Sequence, residues 1–92
     1  MDDSLCPSAR EDLVCEELEG EVVIFDPRAK LTHRLNHTAA YVFLLCDGKT
    51  SIRKIKELYG IAFDLPADIV DRDVRLVLEN LHKSLIISMG DQ

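Results

Sequence analysis

Residues 13–36, LVCEELEGEVVIFDPRAKLTHRLN, decide the fold. Leu13, Val14, Cys15, Glu16, Glu17 and Leu18 predict a strand of mixed alternation. Glu19-Gly20 predicts a tight turn, with glycine free to take positive φ. Glu21-Val22-Val23-Ile24-Phe25 predicts a second strand, and its unbroken apolar run suits burial on both faces. Pro27 presets φ at a corner, so Asp26-Pro27-Arg28-Ala29-Lys30 predicts a turn. Leu31-Thr32-His33-Arg34-Leu35 then alternates, placing Leu31, His33 and Leu35 on one face and Thr32 and Arg34 on the other. Three strands joined by short turns make an antiparallel meander. No later strand is evident beside the third, which leaves it an edge.

Past Asn36 the apolar period becomes helical. The Asn36 side chain suits an N-cap, and the helix it opens, over about 38–46, is apolar almost all round and therefore buried. Asp47-Gly48 ends it. Thr50 or Ser51 caps a second helix with Ile52, Ile55 and Tyr59 as its apolar stripe; Gly60 is expected to stop it and 61–65 to form a linker. Pro66 falls in the first turn of a third helix, where a missing N–H costs nothing. Val70, Val74, Leu78 and Leu81 face that helix, which reaches about Lys83, to the core, with Ile69, Asp73, Leu76 and Val77 on a shoulder beside them. Leu85-Ile86-Ile87 fits a short closing strand or an apolar tail. The fold class is α+β and winged-helix-like: a three-stranded antiparallel meander followed by three helices. The expected organisation is a mobile arm over 1–11, one domain over 12–88 and a tail over 89–92.

Composition narrows the function. The chain has 92 residues, 47% hydrophobic and 30% charged, as in one ordinary globular domain. Its 17 acidic against 11 basic residues give a net charge of −6, which opposes nucleic acid or an anionic membrane as the main partner. A DNA-reading winged helix would also need cations along the third helix, which instead carries Asp68, Asp71, Asp73 and Glu79 against Arg72, Arg75 and Lys83. Met1-Asp2-Asp3-Ser4 lacks the basic start and apolar run of a signal peptide, so a cytoplasmic location is expected.

Catalytic chemistry finds no support. Cys6, Cys15 and Cys46 have no CxxC spacing; Cys15 and Cys46 stand among apolar residues and read as small hydrophobes in a reducing compartment. His33 and His37 are four apart, but one is on a strand and the other at a helix start, with no third ligand nearby. His33 fits better as a partly buried polar group, and His82 as a cation at a helix C-terminus. Cys46 also ends a helix, where the dipole disfavours a thiolate. The four isolated glycines make no phosphate loop. Neither metal, cofactor nor enzymatic activity is expected.

The order LEGEVVIFDP (18–27), HRLN (33–36), TAA (38–40), CDG (46–48) and the later Asp73-Val74, Val77-Leu78 and Leu81 resembles the PqqD-like family across about 10–87. Ser84 departs from the glycine usual before the final Leu-Ile pair, and Phe43 stands near a position that is often tryptophan. The resemblance implies a recognition element for ribosomally made, modified peptides. A leader peptide would lie as an added strand along the third strand, against the last helix, and be presented to a modifying enzyme such as a radical SAM protein. Carried onto this sequence, the site is Leu31, Thr32, His33, Arg34 and Leu35, faced by Ile69, Asp73, Leu76 and Val77. A DNA-binding regulator and a non-catalytic protein-interaction subunit are the alternative readings.

Overall fold

The computed structural model describes residues 1–90. Its elements in chain order are β1 (Ser8–Ala9), β2 (Val14–Leu18), β3 (Glu21–Asp26), β4 (Leu31–Leu35), α1 (His37–Leu44), α2 (Ile52–Phe63), α3 (Ala67–Lys83) and β5 (Ile87–Ser88). β2, β3 and β4 form the expected antiparallel meander in that order. Glu19 and Gly20, both at positive φ, make the two-residue turn between β2 and β3. The register pairs Val22 with Leu35, Ile24 with His33 and Asp26 with Leu31.

The three helices follow, the first two with the N-caps the sequence predicts. Asn36 accepts a hydrogen bond from the Ala39 N–H and Ser51 from the Lys54 N–H. Val22, Ile24, Val42, Ile52, Ile55, Tyr59, Val74 and Leu78 fill the core between the sheet's inner face and the helices.

Several expectations are corrected. Residues 1–11 are not a loose arm. Pro7 is fully buried, Ser8–Ala9 pairs with β5, and the Leu5 and Pro7 carbonyls accept hydrogen bonds from the Ile52 and Gly48 N–H groups. β5 settles the end of the 85–87 run as a closing strand. The expected tail begins inside the core, with Met89 buried, and a Cβ on Gly90 would stand 2.5 Å from the Cys6 carbonyl oxygen. Residues 91 and 92 lie outside the described residues.

α2 runs through Gly60 to Phe63 and ends on Asp64 in the left-handed region. Glycine stops a helix only when nothing rewards its continuation; here α3 packs so close that a Cβ at Gly60 would meet Val70 at 3.3 Å. Pro66 is the cap residue preceding α3, and α1 closes two residues earlier than expected. β3 is buried on one face only: Phe25 is 41% exposed and Val23 half-buried. Cys15 is exposed as well, because β2 is the outer strand of a projecting wing.

Candidate peptide-binding edge

β4 is paired on one side by β3, and among the described residues nothing pairs with its other side. Its outward N–H and C=O groups are therefore available to an extended chain. Leu35 packs against the core and anchors one end of the strand, whereas Leu31 at the other end is 55% exposed.

Ile69, Asp73, Leu76 and Val77 fall at i, i+4, i+7 and i+8 of α3 and so share one flank. Val77 packs on the core and Leu76 is 52% exposed, which gives that flank a fixed base and an accessible apolar rim. Asp73 is held in place: its Oδ2 accepts a hydrogen bond from the Tyr59 hydroxyl at 3.2 Å and its Oδ1 pairs with Arg72 at 3.3 Å. Burial pushes the Tyr59 phenol up from its ordinary range, so it stays a donor.

Thr38 lies beside the same phenol and donates to the Asn36 side chain. The Tyr59 hydroxyl ties α2 to the α3 flank. The sequence marked Asp73 but not Tyr59, which reads there as one more member of an apolar stripe; a buried tyrosine's need for a hydroxyl partner was the available signal.

A second network fixes the other end of the hairpin. Arg10 grips buried Asp26 with both arms of its guanidinium, at 2.8 and 2.9 Å, and also donates to the Leu85 carbonyl at 3.1 Å. Asp26 accepts from the Arg28 and Ala29 N–H groups, which shapes the β3–β4 turn. Through this cluster the β4 hairpin is tied to the C-terminal end of α3.

A depression of about 670 Å³ between α2 and α3 is lined by Gly60, Ile61, Leu65 and Val70 with charges at its rim, and its lining includes no residue of β4. Among the described residues no group of three or more His, Cys, Asp or Glu could hold a metal, and no helix is long and apolar enough to cross a membrane. Burial, with Asp47 beside it, pushes the Cys46 thiol up to about 12, and its Sγ lies 3.3 Å from the Val42 carbonyl oxygen. At pH 8 iodoacetamide is therefore expected to alkylate exposed Cys15 and spare Cys46 until the protein is denatured, as mass spectrometry of digests would show.

The family model for coenzyme PQQ synthesis protein D, PqqD, matches residues 21–87, from β3 to the start of β5. The chain belongs to the PqqD family. The matched span contains β3, β4 and all three helices entire. No curated protein sequence matches the chain. A solved structure described as TbiB1 in complex with the TbiA(beta) leader peptide is similar in fold, with a TM-score of 0.78 at 20% identity over 88% of this chain and 94% of that one.

Proposed function

We propose that this protein binds the leader segment of a ribosomally made precursor peptide by strand addition at β4 and presents it to a modifying enzyme. The observation that carries this reading is the free edge of β4 in a PqqD-family fold, and the partly apolar flank of α3, anchored to the core through Val77, supports it. Strand addition uses such parts: main-chain hydrogen bonds supply affinity, and alternate side chains dropping beside the flank supply selectivity. The similar TbiB1 structure was solved with a leader peptide, which supports the same use of the fold here.

The peptide would lie along Leu31, Thr32, His33, Arg34 and Leu35 under Ile69, Asp73, Leu76 and Val77. The protein's part is binding; the chemistry belongs to the partner, for which a radical SAM enzyme is our first choice. Three free thiols suit a reducing cytoplasm, where we place this work.

DNA reading is disfavoured by α3 itself. Arg72 is paired with Asp73 and Arg75 with Asp71, so two of the helix's cations are engaged by its own carboxylates.

Isothermal titration with a candidate precursor peptide tests the reading. Leu76→Ala is expected to weaken binding by about 1–2 kcal/mol, as loss of an apolar anchor does, and to leave stability nearly unchanged because Leu76 is half exposed. Binding indifferent to Leu76 would remove the α3 flank from the site.

A further inference from the structure

β2 and β4 are both edges of one sheet, but they differ in chemistry. β2 carries Glu16 and Glu17, both exposed, at its centre. β4 has no carboxylate, and its centre is the adjacent pair His33 and Arg34. The fold leaves both members of that pair with unused bonding capacity. His33 Nε2 is shut off from solvent and, among the described residues, is the one buried side-chain nitrogen or oxygen without a hydrogen-bond partner. Such an atom is costly to keep, so its presence on a free edge points to a ligand that completes it. His33 as a whole residue is only half-buried. Arg34 is 72% exposed at its side chain and meets Glu21 only at 4.0 Å, the outer limit of an ion pair.

Successive residues of a strand point to opposite faces. A strand added beside β4 therefore sets one of its residues opposite His33 on the inner face and the neighbouring residue opposite Arg34 on the outer face, with Cβ atoms about 5 Å apart. We propose that His33 and Arg34 read two successive residues of the bound peptide: one with a hydroxyl or amide side chain against His33, and one carboxylate against Arg34. This inference rests on the reading of β4 as the peptide-binding edge.

A hydroxyl or amide fits His33 because either can donate or accept, whichever ring tautomer is present. A carboxylate fits Arg34 because the guanidinium fork takes it in two parallel bonds. The chain's net charge of −6 opposes an acidic peptide at long range, but at physiological salt charges beyond about 8 Å are screened, so the direct contact governs. Asp73, the carboxylate on the α3 flank, is engaged by Tyr59 and Arg72.

A random decapeptide library displayed on mRNA and selected on the full chain tests this whatever the natural peptide is. Binders are expected to be enriched in adjacent Ser, Thr, Asn or Gln and Asp or Glu, by roughly fivefold at each position per round. Selection on Arg34→Glu should exchange the carboxylate for Lys or Arg. Selection on His33→Leu should exchange the hydroxyl or amide for an apolar residue, while His33→Gln should retain it. Replacing either polar residue within a wild-type binder should weaken it, a readout that needs no protein variant.

Binders that shift the amide resonances of Leu31–Leu35 but lack the signature at either position, or keep it unchanged in the variants, overturn the two-residue reading and leave strand addition standing. Binders that leave those resonances still overturn strand addition itself, and this inference with it.

Discussion

Arg10→Ala is expected to lower the midpoint of thermal unfolding by more than about 10 °C. Asp26 is 2% exposed, and the substitution strands its carboxylate without the cation that holds both of its oxygens. Breaking one half of a buried pair is far costlier than never having built it. The same guanidinium bonds to the Leu85 carbonyl and to Asp12, so the N-terminal segment, the β3–β4 turn and the end of α3 loosen together.

Acid should act on the same contact. The Arg10 guanidinium holds the Asp26 carboxyl down to about 2, below its ordinary 3.8. A depressed value means that the pair's contribution is fully present above about pH 4 and is lost as pH falls through 2. Calorimetric scans between pH 2 and 7 should show the wild type losing stability steeply in that window and Arg10→Ala losing less. Equal midpoints for the two proteins at pH 7 would show that the network does not hold the hairpin to α3.

The second large effect is expected in binding. Along β4, alternate N–H groups bond to β3 and the others face the free edge. Proline removes one donor. Of His33→Pro and Arg34→Pro, one must therefore break the β3–β4 ladder and melt the wing. The other keeps the sheet paired and deletes a donor from the ladder a peptide would complete. That variant is expected to retain its thermal midpoint within a few degrees while losing roughly 5- to 150-fold in affinity, the worth of an unmade backbone bond of about 1–3 kcal/mol. Thermal melts paired with peptide titrations separate the two. If binding is lost only where folding is lost, the edge takes no part in recognition.

The wing and the three helices were legible because their signals are local. Alternation in Leu31–Leu35 and the caps at Asn36 and Ser51 each act within a few residues, and each is found in place. What could not be read depends on distant contacts. Ser8–Ala9 is too short to show a period, and its pairing partner lies about 80 residues later at β5. Arg10 and Asp26 are sixteen residues apart with no spacing rule to join them. Gly60 obeyed its neighbour Val70 rather than its own weak helix propensity. Cys15 has apolar neighbours in sequence, yet a projecting outer strand has no core to bury it in.

The candidate site divides the same way. The period of α3 placed Ile69, Asp73, Leu76 and Val77 on one flank, and the chain's free edge followed from the absence of a fourth strand pattern. The tether from Tyr59 to Asp73 joins two helices, and only their packing reveals it.

Strand addition at β4 is tested most directly by an ¹⁵N-resolved NMR titration of the full chain with the leader segment of its precursor peptide. The account predicts that the largest amide shifts fall on Leu31–Leu35 and on Ile69, Asp73, Leu76 and Val77, with newly slowed hydrogen exchange at the outward-facing amides of β4. Shifts that gather instead on Arg53, Lys54 and Lys56 of α2, with β4 unmoved, would contradict it.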